Sequence, residues 1–169
     1  MGRIAREVYQ RAVGMGLKVI AHTPSGNNYG LDCEMVSLEE LLQRSDYVSL
    51  HSPLLPETEH LISTQQFKLM KSTSFLLQYI RGGLIDIEAL KVAYSEGRNC
   101  RAALDVFEQE PPDLGDPLWK DPRVIVTPHA AFVSEESLED LRVRATRQII
   151  QVLQGEQPDN VINPHVYKK

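Results

Sequence analysis

The chain has 169 residues, 42% of them hydrophobic and 24% charged, which is the composition of a globular domain with one sizeable core. A net charge of -5 without a basic stripe argues against nucleic-acid binding, and no apolar stretch is long enough to span a membrane. The two cysteines, Cys33 and Cys100, lack metal-ligand spacing and indicate free thiols in a reducing cytoplasm, with no metal site.

Helical and extended patterns alternate along the chain. Apolar residues recur at helical spacing from Ile4 to Met15, and glycines end this first helix. Ser37 and Ser63 each precede a Glu or Gln by three residues, the capping-box pattern that begins a helix, and Asp86 is placed to cap another. In chain order, the predicted elements are a helix over 3–15, a strand over 18–22, a helix over 37–44, a strand over 47–50, a helix over 63–70, a strand over 74–78, a helix over 86–96, strands over 102–106 and 123–127, and a helix over 134–153.

The last predicted helix carries an apolar stripe that we expect to form its inner face. Because strands and helices alternate almost throughout, the sequence predicts an α/β fold with a parallel sheet and helices on both faces. The polar segment 155–169 contains two prolines and is typical of a linker. The stripe consists of Leu138, Leu141, Ala145, Ile149 and Val152.

Three polar side chains follow predicted strands between residues 101 and 131. Asp105 and Glu110 come after one apolar run, and His129 comes after the next. Open α/β sheets bind ligands at the carboxyl ends of their strands, so two carboxylates and an imidazole there are candidates for acid/base chemistry. Taken alone, the simpler interpretation is that Asp105 caps a turn, Glu110 is solvated and His129 is an ordinary loop residue.

Four sequence blocks follow one another between residues 41 and 132. They are LLQRSDYVSLHSPLLPETEHLI, FLLQYIRGGLID, AALDVFEQEPP and VIVTPHAAF. In order and spacing they resemble the nucleotide-binding domain of the D-isomer-specific 2-hydroxyacid dehydrogenases, which include phosphoglycerate, glyoxylate and hydroxypyruvate reductases. The resemblance covers essentially the whole chain and implies a Rossmann-type, doubly wound parallel sheet. The ending HAAFVSEES is most similar to the branch near the C-terminal-binding corepressors.

The resemblance implies a site that interconverts a 2-oxo acid and a D-2-hydroxy acid. Arg81 would hold the substrate carboxylate in a bidentate pair, although by spacing alone it fits a surface ion pair equally well. His129 would donate a proton during reduction and accept one during oxidation. Glu110 would orient the imidazole and stabilise its charged form. The nearby Glu108 would be solvated or bonded within its loop.

The resemblance implies NAD as the cofactor, with NADP as the alternative. Gly2 matches the second glycine of a G-x-G-x-x-G motif and Ala5 its third position, so the fold is expected to lack its first strand and first glycine. Thr23 stands where an acid normally binds the ribose, and the bulk of Tyr79 and Ile80 is expected to crowd the nicotinamide. The cofactor-binding residues implied are Gly2, Arg3, Ile4, Thr23, Pro24, His51, Ser52, Pro53, Thr58, Tyr79, Ile80, Asp105 and Ala131.

Residues 1–154 are expected to form a dinucleotide-binding domain that is incomplete at its N-terminus, and 155–169 a tail leading to a substrate domain that this sequence lacks. As in the family, we expect a homodimer that acts on a small 2-oxo or 2-hydroxy acid. Two alternatives stay open: a non-catalytic dinucleotide-sensing or corepressor-like module, and an inactive fragment of the enzyme. Thr23, the run Gln78-Tyr79-Ile80 and the expected lack of the first strand favour the sensing module. The presence of Arg81, Glu110 and His129 together favours the enzyme.

Overall fold

A computed structural model describes residues 1–98 and 100–167 of the chain. The chain divides into two compact units, Met1–His129 and Ala130–Lys169, and each is described by itself. The helices are α1 (Arg3–Gly14), α2 (Leu38–Arg44), α3 (Thr64–Leu69), α4 (Ile87–Ser95) and α5 (Glu135–Leu153). The strands are β1 (Ile20–Ala21), β2 (Glu34–Met35), β3 (Tyr47–Ser49), β4 (Phe75–Gln78), β5 (Arg101–Leu104) and β6 (Val124–Val126). Short 3₁₀ helices cover Gly82–Leu84, Pro117–Lys120 and Pro164–Tyr167.

The strands of the first unit form two parallel sheets. One contains β1 and β2, and the other contains β3, β4, β5 and β6 in that order. Parallel neighbours need a crossover between them, and α3 and α4 supply it between β3, β4 and β5. The predicted parallel α/β fold is therefore confirmed. In the described residues, β1 and β3 belong to different sheets. In the doubly wound order, the strand that leads into the glycine motif lies between the two strands that correspond to β1 and β3.

A single row of side chains across the larger sheet marks its buried face. Val48, Leu76, Ala102 and Val124 are register neighbours on successive strands, and all four are buried. The core continues into Leu42 of α2, Phe67 of α3 and Leu90 of α4, so these three helices cover that face. Side chains alternate between the faces of a strand, which leaves Tyr47 and Ile125 on the opposite face, each 59% exposed. The prediction of helices on both faces is therefore wrong at these two positions.

The predicted helix starts are confirmed in atomic detail. The Ser37 hydroxyl accepts a hydrogen bond from the Glu40 amide at 3.1 Å, and an Asp86 carboxylate oxygen accepts one from the Ala89 amide at 3.0 Å. Ser63 forms a capping box with Gln66. Each cap satisfies a backbone donor that the first helical turn leaves unpaired.

The predicted inner face of α5 was wrong. No residue of α5, all of which lies in the described part of the chain, is buried, and Leu141 and Ile149 are 58% and 61% exposed. The second unit contains, in its described residues, only this helix and the 3₁₀ helix Pro164–Tyr167, so it offers no apolar layer for the stripe to pack against.

None of the helices in the described residues combines the length and apolar character that crossing a membrane requires.

Candidate active site

Asp105 joins the carboxyl ends of three strands. It follows β5 directly and is buried, with 5% of its surface exposed. Its amide donates to the Gln78 carbonyl at the end of β4 (2.9 Å), and its carbonyl accepts from the His129 amide (2.8 Å). The Thr127 hydroxyl, just past β6, donates to its carboxylate at 2.5 Å. The carboxylate is thus fixed at the sheet edge where parallel α/β proteins bind their ligands.

Glu110 and His129 form a close acid–imidazole pair. The His129 Nδ1 lies 2.9 Å from Oε2 and 3.1 Å from Oε1 of Glu110. The Phe107 amide donates to the same carboxylate, to Oε1 at 3.0 Å. The hydrogen bond from His129, followed by that from Phe107, lowers the pKa of Glu110, against smaller opposing effects of burial and of Asp105.

The backbone of His129 adopts a conformation that is rare for its residue type. Its φ of 52° lies in the left-handed region, which costs a non-glycine residue about 1 kcal/mol or more. The hydrogen bond from the His129 amide to Asp105 holds it there. The side chains of His129 and Glu110 remain 43% and 38% exposed, so a small molecule can reach the pair from solvent.

Arg81 lies in a turn that packs against the loop carrying Glu110. It is exposed, and its Nη1 donates to the Ile80 carbonyl at 2.7 Å. The next residue, Gly82, has no room for a side chain: an ideal Cβ would lie 2.0 Å from the Phe107 carbonyl carbon and 2.1 Å from the Glu108 nitrogen. The turn after β4 and the loop after β5 therefore touch through their backbones.

Glu108 lies near His60 in this region. Its Oε2 lies 3.8 Å from Nε2 of His60, and the His60 amide donates to the Gly83 carbonyl at 2.8 Å. Glu108 thus lies beside a residue of another loop, where the sequence predicted a solvated or loop-bonded side chain.

His51 and Tyr79 meet beside Ser49. The His51 Nε2 lies 3.1 Å from the Ser49 hydroxyl and 3.2 Å from the Tyr79 hydroxyl, and the two hydroxyls are 3.1 Å apart. The two rings contact edge to face, with centroids 5.5 Å apart. Burial lowers the pKa of His51, which favours the neutral imidazole at neutral pH. Tyr79, one of the two bulky residues predicted to crowd the site, is therefore held by hydrogen bonds at the ends of β3 and β4.

The loop after His51 is braced by Thr58. The Thr58 hydroxyl donates to the Pro53 carbonyl at 2.6 Å and accepts from the Leu55 amide at 2.8 Å. Ser52 in this loop is half-buried and Pro53 is exposed. The predicted adenine-side residues therefore lie in one loop of defined conformation.

The start of α1 suits a phosphate group. Gly2 is its extended N-cap, no side chain caps the helix, and its first turn contains no acid. An ideal Cβ on Gly2 would have no described atom within 4 Å, so the approach to the backbone is open. Unpaired amides and the positive end of a helix dipole favour an anion such as a pyrophosphate. Arg3 and Ile4 belong to this first turn.

Thr23 and Pro24 lie in the turn after β1. The Thr23 hydroxyl donates to the Asn27 carbonyl at 3.3 Å, so it is already engaged within the turn. The turn residues 23–27 include no acid, as the sequence shows. Ala131 belongs to the second unit and is exposed.

Comparison with known proteins identifies the family of the chain. The NAD binding domain model of the D-isomer specific 2-hydroxyacid dehydrogenases matches residues 1–131. The chain belongs to the D-isomer specific 2-hydroxyacid dehydrogenase family. The part that it matches is the NAD-binding domain, so NAD is the cofactor that the family assigns to this region.

Two members of this family are similar over nearly the whole chain. A glyoxylate reductase of Korarchaeum cryptofilum is 40% identical over 171 residues, covering 99% of this chain and 52% of that protein. A D-3-phosphoglycerate dehydrogenase of Methanocaldococcus jannaschii is 40% identical over 167 residues, covering 96% of this chain and 32% of that protein. The chain therefore spans about half, or less, of the length of these curated relatives.

A solved structure of a family member supports the fold. The NAD-complexed D-isomer specific 2-hydroxyacid dehydrogenase of Lactobacillus delbrueckii ssp. bulgaricus has a TM-score of 0.85 and 30% identity, covering 96% of this chain and 54% of that chain. The predicted Rossmann-type architecture is thereby confirmed.

Four features of the candidate site were missed by the sequence reasoning. Thr127 stands two residues before His129, and its placement after an apolar strand could have identified it. Gly82 directly follows Arg81, but a need for glycine shows only when the facing backbone is known. The same holds for the Phe107 amide and for the Ser49 hydroxyl, whose roles depend on contacts distant in sequence.

Proposed function

We propose that the chain forms the cofactor-binding and acid/base part of an NAD-dependent oxidoreductase that interconverts a small D-2-hydroxy acid and its 2-oxo acid. The observation that carries this proposal is the Glu110–His129 contact beside Asp105, at the carboxyl ends of β5 and β6. Family membership supports it, as do the names of the similar glyoxylate reductase and D-3-phosphoglycerate dehydrogenase.

The pair determines which histidine nitrogen does the chemistry. Because Glu110 engages Nδ1 of His129, the proton exchanged with substrate is carried by Nε2. In reduction, Nε2 gives its proton to the ketone oxygen, and in oxidation it takes the hydroxyl proton. The Glu110 carboxylate stabilises the charged imidazole and keeps the ring in one orientation. NAD supplies or accepts the hydride when it is bound.

Arg81 completes the substrate site in this proposal. Its guanidinium would exchange the hydrogen bond to the Ile80 carbonyl for two parallel bonds to the substrate carboxylate. The contact between Gly82 and the Phe107–Glu108 backbone keeps the Arg81 turn against the loop of Glu110. Carboxylate recognition and proton transfer are then built on adjoining segments.

The structure fits NAD at the start of α1, where uncapped amides favour a pyrophosphate. NADP stays an alternative, because Thr23 supplies neither the acid that favours NAD nor the arginine that favours a 2'-phosphate. The proposed contact residues of the first unit are Gly2, Arg3, Ile4, Thr23, Pro24, His51, Ser52, Pro53, Thr58, Tyr79, Ile80 and Asp105, and Ala131 stays a prediction from the resemblance.

The state of the protein in the cell is part of the same proposal. We propose a cytoplasmic location, which the buried free thiols Cys33 and Cys100 support, because thiols stay reduced there. A homodimer, proposed from the family, is tested by light scattering of the purified chain. We keep residues 1–154 as the proposed dinucleotide-binding domain and 155–169 as the proposed tail.

The function is tested by adding NADH and a series of small 2-oxo acids, glyoxylate first, to the purified chain. NADH binding is followed by energy transfer from Trp119, the single tryptophan, and turnover by NADH absorbance. We expect binding and turnover in the wild type. His129→Gln should keep binding and lose about 10²- to 10⁴-fold in kcat, the usual contribution of a general acid–base.

Two outcomes would contradict the enzyme. If NADH binds equally to the wild type and to His129→Gln, and neither protein oxidises NADH with any 2-oxo acid, the chain is a non-catalytic dinucleotide-binding module. If no binding is detected at millimolar NADH, the chain is an inactive fragment of the enzyme. A matched control, Leu114→Ala, changes a 76% exposed side chain outside the proposed site and should behave as the wild type.

A further inference from the structure

The loop that carries Glu110 is fastened by one aromatic side chain. This loop, residues 105–123, connects β5 to β6 and contains the 3₁₀ helix Pro117–Lys120. The ring of Trp119 packs edge to face on Phe107, with centroids 5.2 Å apart and an interplanar angle of 80°. Its Nε1–H donates to the Asp113 carbonyl at 2.8 Å. Trp119 thus contacts the loop three residues before Glu110 and three residues after it.

Phe107 is the point at which these contacts reach Glu110. Its amide donates to Glu110 Oε1 at 3.0 Å, while its carbonyl carbon lies 2.0 Å from the position that a Cβ on Gly82 would take. The Phe107 backbone is therefore packed against the turn of Gly82 on one side, and its ring is packed against Trp119 on the other. Because both contacts constrain Phe107, they constrain the direction of its N–H bond.

The 3₁₀ helix that contains Trp119 is anchored within the first unit. Leu118 is buried, and its amide donates to the Asp116 carboxylate at 2.9 Å. The Asp116 carboxylate also forms an ion pair with the Lys91 ammonium group of α4, at 2.6 Å. Because its neighbours Leu118 and Asp116 are held in place, the half-buried Trp119 ring can restrict the position of the loop segment that it contacts.

We propose that Trp119 and Gly82 are positioning residues, which place the Phe107 amide on the Glu110 carboxylate and thereby set the orientation of the Glu110–His129 pair. The catalytic meaning of this placement rests on the function proposed above, whereas the placement itself does not. An acid and a histidine that are each about two-fifths exposed gain little from their mutual attraction alone, because ordering both side chains opposes it. A fixed third group on the carboxylate removes much of that freedom.

The electrostatics of the carboxylate agree with this geometry. The groups that act on Glu110 are His129, the Phe107 amide and Asp105. The first two lower the pKa of Glu110 and Asp105 opposes them. Displacing the Phe107 amide should therefore move the pKa of Glu110 up, toward its ordinary value, even while His129 stays in place.

The test compares Trp119→Ala and Trp119→Phe with Leu114→Ala, an exposed apolar residue of the same loop. The pKa of the Glu110 carboxyl is read by carbon NMR of the labelled chain. It should rise in Trp119→Ala, rise less in Trp119→Phe, which keeps a ring against Phe107, and stay as in the wild type in Leu114→Ala. An unchanged Glu110 pKa in folded Trp119→Ala would overturn the proposal.

Kinetics supply a second readout. In Trp119→Ala, kcat for the 2-oxo acid should fall about 10- to 100-fold, as for a misplaced catalytic group, while the KM for NADH stays unchanged. A loss confined to KM for NADH would also overturn the proposal. If the chain shows no turnover, the NMR titration still decides the positioning role, so failure of the proposed function is distinguished from failure of this inference.

Should Trp119→Ala not fold, Phe107→Leu removes the same ring contact and keeps apolar bulk. We then expect a raised Glu110 pKa in Phe107→Leu. A Glu110 pKa equal to that of the wild type in this variant would refute the positioning role equally.

Discussion

Glu110 shows how an exposed residue acquires a defined chemical role. Two donors, His129 and the Phe107 amide, converge on its carboxylate, and both act in the same direction on its pKa. The sequence allowed this pairing only through the family resemblance, since 19 residues separate the two side chains. Asp105 could be placed at a strand end from its pattern alone, but its burial and its bond to Thr127 could not, because they depend on the neighbouring strand β6.

The Glu110 contact should make the stability of the chain depend on pH. The folded pKa of Glu110 lies below the ordinary value of 4.5, so its stabilising contribution is fully present above pH 4.5 and is lost as pH falls through the folded pKa. Glu110→Gln should therefore flatten the acid limb of the unfolding free energy, measured by urea denaturation at a series of pH values.

A double-mutant cycle provides the control for this pH dependence. In a His129→Asn background the largest cause of the lowered pKa of Glu110 is gone, so Glu110→Gln should change the acid limb less than in the wild type. Equal acid limbs in the wild type and in Glu110→Gln would show that the contact does not stabilise the folded state.

At the scale of elements, the sequence predicted helix starts from capping residues correctly, but it did not predict which helix face is buried. The helix starts at Ser37, Ser63 and Asp86 were predicted because a cap acts within three residues of itself. The two-residue strand β2 was missed, since it is too short to show a period. The stripe on α5 indicated a buried face, but periodicity does not reveal whether a partner layer exists.

The close contact between the turn after β4 and the loop after β5 gives a matched pair of variants. Gly82→Ala would force a Cβ into the Phe107–Glu108 backbone and should lower the unfolding free energy by about 1–3 kcal/mol or more. Gly83→Ala meets only methyl groups of the flexible Leu54 side chain, at 3.1 and 3.3 Å, and should cost about 1 kcal/mol or less.

Urea denaturation measures both glycine variants. Backbone atoms cannot move aside as easily as the end of a side chain, so Gly82→Ala should lower the unfolding free energy more than Gly83→Ala does. Equal losses in Gly82→Ala and Gly83→Ala would contradict the described contact.

For the whole molecule, the core lies on one face of the larger sheet, and the candidate site lies at the carboxyl ends of its strands. Burial is concentrated on the face covered by α2, α3 and α4, and it fixes the register of β3 to β6. That register aligns the carboxyl ends of β4, β5 and β6, where Gln78, Asp105 and His129 are linked through their backbones. The apolar runs in the sequence predicted these strands, and the alignment of their ends followed from parallel pairing.

The one-sided burial of this sheet predicts unequal costs for two similar truncations. Leu76 is fully buried at the centre of the core row, so Leu76→Ala should lower the unfolding free energy by about 2–5 kcal/mol, a large part of the 5–15 kcal/mol typical of a domain. Ile125, on the opposite face and 59% exposed, should tolerate Ile125→Ala at a cost of about 0.5 kcal/mol. Both are measured by urea denaturation of the purified chain. A cost for Ile125→Ala near that of Leu76→Ala would mean that the face bearing Tyr47 and Ile125 is covered in solution, because an exposed side chain gains little from folding.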